Sequence, residues 1–145
     1  LVWIYYAWDG VATKVKGIDT NYFEFRDIDK DLDYYTPFLI ANNAFLEENP
    51  ETAKAFLAAA RKGYEYCIEN PEASADIICE LVPEIDHAIA VESQKYLAGQ
   101  YQAEAENWGV FDGNRWDAFF TWLYDNGILT EKLPAGAGYS NAYLD

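Results

Sequence analysis

Tyr5-Tyr6-Ala7-Trp8-Asp9-Gly10 sets a flat indole beside a carboxylate. Trp8 offers a stacking surface, and Asp9 offers two acceptor oxygens suited to paired N–H bonds from an amino-heterocycle or to an amine. With Tyr6 they form a first group of candidate ligand-binding residues. In open α/β sheets, ligands sit beyond the carboxyl ends of strands, beside the helix N-termini that follow, and this stretch occupies such a place. The plainer alternative has Asp9 capping a short helix and Trp8 buried in a core. Pattern alone leaves the two level. A second group, Tyr34, Tyr35 and Thr36, precedes Pro37. Tyrosines where a chain crosses toward helices could line a cleft with their hydroxyls, or be ordinary half-buried residues of an edge strand.

Other chemistries find little support. The one histidine, His87, reads as an exposed residue at a helix start, because it lacks the orienting partners that catalysis requires. There is no nucleophile elbow, phosphate-cradling loop or zinc-protease helix motif. Asp27-Ile28-Asp29-Lys30-Asp31-Leu32-Asp33 opens like a calcium loop, but Leu32 stands where the turn glycine is needed and Phe38 where a bidentate glutamate is needed. A solvated loop is the expectation. No catalytic residue, metal ligand or cofactor is assigned.

The elements that must position these groups divide into a strand-like first third and a helical remainder. Leu1 to Tyr6 is β-branched and aromatic on both parities, the pattern of a strand covered on both faces. Val11 to Lys16 is a short amphipathic helix closed by Gly17, and Tyr22 to Phe25 reads as a second strand, which makes a βαβ unit. Tyr34 to Ala41 is a third extended segment, with Pro37 marking an edge or a crossing. Asn49-Pro50-Glu51 and Asn70-Pro71-Glu72 each combine an N-cap, a proline at the first helical position and an acid in the first turn. Pro83 ends the second of these helices. A weaker helix is expected over about His87 to Gln102, and a last one is capped by Asp112 or Asn114 and ends at Gly127, with Trp116, Phe119, Phe120, Leu123 and Tyr124 on its apolar face. The fold class expected is therefore α/β.

Composition bounds the partners. The 145 residues are 51% hydrophobic, which excludes a disordered chain. A net charge of −15 opposes nucleic acids and anionic membrane surfaces, so no nucleic-acid partner is assigned. Cys67 and Cys79 neither demand nor exclude a disulfide, and their apolar neighbours favour two buried thiols. With no methionine and an apolar run at its start, the chain is expected to be the latter part of a longer protein, with Leu1 to Tyr6 seeking strand partners.

The order of segments carries a resemblance. Asp33-Tyr34-Tyr35-Thr36-Pro37-Phe38-Leu39-Ile40-Ala41-Asn42 is followed by Asn49-Pro50-Glu51, Phe56-Leu57-Ala58-Ala59 and Gly63-Tyr64-Glu65-Tyr66. Then come Asn70-Pro71-Glu72, Ser93-Gln94-Lys95-Tyr96-Leu97, Trp108-Gly109 and Arg115-Trp116 through Trp122-Leu123 to Asn126-Gly127. This series resembles the C-terminal half of substrate-binding proteins of ABC transporters, in the branch for pyrimidine precursors of thiamine, which is similar to the eukaryotic thiamine-pyrimidine synthases.

The resemblance implies the C-terminal portion of a two-lobed periplasmic-binding-protein-like fold. Residues 1–33 would be the remainder of the second lobe, 34–41 a hinge crossing strand, and 42–145 the helical part of the first lobe with about four helices. It implies a non-enzymatic solute-binding component, periplasmic or extracellular and membrane-anchored, that captures a small heterocycle between the lobes. Its partners would be an ABC transporter permease and the N-terminal half of the same protein or another copy. In that branch the segment matching Ala7-Trp8-Asp9-Gly10 usually reads Gly-Trp-Glu-Gly, so Asp9, one methylene shorter, would meet the aminopyrimidine. Two rivals stand beside this reading. One is a thiamine pyrimidine synthase-like enzyme fragment, whose pyridoxal-phosphate lysine, histidine and cysteine-rich iron site belong to the N-terminal half. The other is a helical interaction module without a small ligand.

Overall fold

The computed structural model describes residues 1–144. They fold as two compact units, each made of two stretches distant in sequence: Leu1–Asn21 with Ala58–Trp108, and Tyr22–Leu57 with Gly109–Asp145. Every regular element among the described residues is helical: α1 Val11–Val15, α2 Phe25–Ile28, α3 Asn43–Glu48, α4 Pro50–Glu69, α5 Pro71–Leu81, α6 His87–Ala98 and α7 Gly113–Asp125. A π-type turn, Tyr6–Gly10, runs straight into α1, and a tight 3-10 turn covers Lys30–Leu32.

In the first unit, α5 packs on α6, and α6 also carries α1 and the Tyr6–Gly10 turn. Val11, Ala75, Ile89, Ala90 and Trp108 are buried there. The small side chains of Ala75 and Ala90 suit close helix approach. Tyr64 of α4 stacks on Trp108 with ring centroids 4.7 Å apart and meets Tyr101 edge-on at 4.9 Å. Arg61 Nη2 donates to Asn107 Oδ1 at 2.6 Å, which ties the chain after α6 back to α4. Asp86 caps α6 by accepting from the Ala88 and Ile89 N–H groups. The helix stops at Ala98, short of Gln102, because the N–H groups of Gly99, Gln100 and Tyr101 turn back to Tyr96 and Leu97.

The second unit centres on Trp116 of α7, surrounded by Phe38, Phe111, Phe120 and Tyr139. The Trp116 indole N–H donates to the Ala137 carbonyl at 2.9 Å. Gly138 at φ 91° brings the terminal segment within van der Waals reach of that indole, a backbone conformation that L side chains rarely adopt. Asp112 caps α7 through the Asn114 and Arg115 N–H groups, and Gly127 at φ 72° follows its end.

The α/β class, with its βαβ unit and hinge strand, is overturned: no strand forms among the described residues. Aromatic and β-branched residues favour extended dihedrals, but a strand exists only when its N–H and C=O groups find a second one. Leu1 to Ile4 lie outside any regular element and are exposed, and Tyr5, extended at φ −95°, ψ 111°, gives its carbonyl to the Trp8 and Asp9 N–H groups. Tyr22 to Phe25 lead into α2 because Glu24 and Asp27 form a reciprocal capping box. Tyr34 to Ala41 run without a ladder, anchored by aromatic side chains on α7 and with Ile40 86% exposed.

The two Asn-Pro-Glu signals start α4 and α5 as expected, yet among the described residues the Asn70 side chain makes no cap hydrogen bond to α5. Each asparagine turns back: Asn49 Nδ2 donates to the Phe45 carbonyl at 3.3 Å, and Asn70 Nδ2 to the Tyr66 carbonyl at 3.2 Å. Those amides serve the C-terminal carbonyls of the helix before. Cys67 and Cys79 are free thiols and half-buried, not fully buried.

Candidate functional site

The first group of candidate residues lies on the Tyr6–Gly10 turn of the first unit. Ser93, a buried polar residue of α6, donates through Oγ to the Ala7 carbonyl at 2.5 Å, and the Tyr6 ring meets Tyr96 edge-on at 5.0 Å. Gly10 is required beside it, because a Cβ there would overlap the Tyr6 ring. Asp9 Oδ2 accepts from the Tyr5 N–H at 3.2 Å, and neither the Tyr6–Gly10 turn nor α1 has a side-chain cap hydrogen bond, so Asp9 does not cap the short helix. Its other oxygen makes no hydrogen bond among the described residues. Trp8 is 43% exposed and so is not a core residue. The turn therefore presents an indole face and one carboxylate oxygen.

The second group lies in the second unit and lines a concavity of about 190 Å³. Tyr34, Tyr35, Thr36 and Phe38 form one side of it, and Arg115, Trp116, Phe119 and Phe120 of α7 the other. Tyr34 stacks on Phe119, with centroids 4.6 Å apart and planes 21° from parallel. Tyr35 meets Phe111 edge-on at 4.9 Å, lies under the Arg115 guanidinium at 4.4 Å, and accepts the Asp112 N–H on its hydroxyl at 2.9 Å. Flat aromatic walls around one cation and a tyrosine hydroxyl suit a flat, polar-edged ring.

The side of this concavity built by α7 was not singled out from the sequence. Trp116, Phe119 and Phe120 read as a core face, and Arg115 enters only as part of the Arg115-Trp116 segment of the resemblance, with no role given to it. The available signal was spacing: Arg115 and Phe119 are four residues apart and share one face of α7.

The acidic loop is engaged structurally. Asp29 accepts from the Asp31 N–H and from the Trp122 indole N–H at 3.0 Å, and Asp33 Oδ1 accepts from Arg115 Nη2 at 2.9 Å. No cluster of metal-ligating side chains forms among the described residues.

A wider concavity in the first unit, about 480 Å³, holds Glu72, Asp76, His87 and Glu92. His87 opens α6 with its side chain exposed, and its Nε2 lies 2.6 Å from Asp76 Oδ1. Lys95 reaches Glu72 at 2.8 Å and Glu92 at 3.4 Å, and hydrogen bonds to these two carboxylates raise its ammonium pKa above the ordinary lysine value. The phenol of Tyr101 is likewise raised, by burial, and it donates to Gln94 Oε1 at 3.1 Å.

Among known proteins, a formylaminopyrimidine-binding protein from Halalkalibacterium halodurans is 28% identical over 133 residues, 88% of this chain and 40% of the relative. The chain thus spans two fifths of that relative's length. The family model described as NMT1/THI5 like matches residues 1–74, a stretch that includes Tyr6, Trp8, Asp9, Tyr34, Tyr35 and Thr36. With just over half of its length covered by that model, the chain belongs to the NMT1/THI5 like family.

Proposed function

We propose that this chain is part of a solute-binding protein of an ABC importer that captures a pyrimidine-type heterocycle, of the class of thiamine pyrimidine precursors. The observation that carries the reading is the coincidence of family membership with two aromatic, polar-edged surfaces, one wholly and the other half built from the matched residues. The formylaminopyrimidine-binding relative supports the ligand class. Trp8 stacks on the heterocycle and the open oxygen of Asp9 accepts an exocyclic amino N–H, with Tyr6 beside them, while Tyr34, Tyr35 and Thr36 of the second unit offer an aromatic, hydroxyl-bearing surface of their own to such a ring. The partners are a transporter permease and the rest of the same protein. The protein works outside the cytoplasm, and no helix among the described residues is long and apolar enough to cross a membrane.

Binding without turnover is the expected chemistry. The intact protein is expected to show a thermal shift with hydroxymethylpyrimidine or its formylamino precursor, and Asp9→Ala to abolish it. A mutant that binds like wild type removes Asp9 from the site. A colourless protein that releases the pyrimidine unchanged is expected, and absorbance from a lysine–pyridoxal adduct would overturn this in favour of a synthase.

A further inference from the structure

We propose that Arg115 is the positioning residue of this site: it sets the plane of Tyr35, and through it the shape of the aromatic surface that receives the heterocycle. The inference rests on the pyrimidine-binding reading. The guanidinium is itself held at two points, since Nε donates to the Asp33 carbonyl and Nη2 to Asp33 Oδ1 at 2.9 Å. A rigid fork fixed on one residue cannot slide over the ring beneath it. It lies 4.4 Å from the Tyr35 centroid and covers one face of that ring. Phe111 packs edge-on at 4.9 Å, and the Asp112 N–H donates to the hydroxyl at 2.9 Å. Tyr35 is thus restrained by a cation, by an aromatic edge and at its oxygen. An oxygen that accepts from a backbone N–H keeps its own proton to donate. A ring nitrogen or formyl oxygen is the chemistry such a hydroxyl recognises.

A lysine carries the same charge but has neither the fork nor the plane, so Arg115→Lys separates orientation from charge. Binding of formylaminopyrimidine to the intact protein is measured by titration calorimetry for wild type, Arg115→Lys, Tyr35→Ala and the double variant, with a melting temperature for each. Arg115→Lys is expected to weaken Kd about tenfold. The double variant is expected to bind no more weakly than Tyr35→Ala alone, because a residue acting through Tyr35 has nothing to act on once the ring is gone.

An Arg115→Lys effect that persists in full without Tyr35 overturns the proposal, as does wild-type affinity in Arg115→Lys. Should Arg115→Lys fail to fold, Asp33→Asn, which releases the guanidinium from its anchor, carries the same cycle. Wild-type protein that binds while Tyr35→Ala binds equally well overturns this inference alone. Wild-type protein that does not bind overturns the pyrimidine reading together with it.

Discussion

Arg115 and Asp33, eighty-two positions apart, are joined twice, side chain to main chain and side chain to side chain. The pair fastens α7 to the segment that leads into Tyr34, Tyr35 and Thr36. Arg26 approaches the same carboxylate at 4.0 Å, so Asp33 serves two cations. Both ends of the Arg115–Asp33 pair are about a third exposed, which weakens its contribution through screening. Asp33→Ala is expected to lower the stability of the protein by about 1 kcal/mol, read as a shift in the urea midpoint. Raising the salt is expected to shrink the difference. An unchanged midpoint would mean that the aromatic packing of Trp116 holds α7 in place unaided.

Ser93 offers a test of the turn that carries Trp8 and Asp9. Its hydroxyl is buried, and its bond to the Ala7 carbonyl spans eighty-six positions. Ser93→Ala removes the donor and leaves a carbonyl to find water or go without. The expected loss is about 1–2 kcal/mol. Hydrogen exchange should quicken at Tyr6–Gly10 more than in α7, and uniform quickening would deny the bond a local role.

Alkaline titration tests the burial of Tyr101. Its raised phenol value means that the folded protein holds this proton more tightly than the unfolded chain. The stabilisation is therefore complete below the unfolded tyrosine value of about 10, and it is lost as pH rises from there through the raised folded value. Tyr101→Phe, which has no proton to lose, is expected to show a shallower fall in urea midpoint across that window. Parallel curves for the two proteins would contradict the burial.

The helical half was legible in the sequence because its signals are local. Prolines at Pro50 and Pro71, the stop at Pro83, the Asp112 cap and Gly127 all act on backbone groups within one turn of themselves. The strands were misread for the opposite reason. A strand needs distant partners, whereas the capping box of Glu24 with Asp27 and the bonds closing on Tyr5 satisfy the backbone nearby. The candidate residues were chosen by type, from what indoles, carboxylates and tyrosines can bind, and their surroundings came only with the fold.

By itself, then, the sequence determined the starts of α4, α5, α6 and α7, the stops before Pro83 and Gly127, and two groups of chemically able residue types, Tyr6-Trp8-Asp9 and Tyr34-Tyr35-Thr36. The tertiary structure alone decided which surfaces those groups meet. Arg115 over Tyr35, Phe119 against Tyr34 and Ser93 beneath Ala7 each join residues more than seventy-five positions apart. Contacts of that kind are closed by packing the whole chain, and no local preference encodes them.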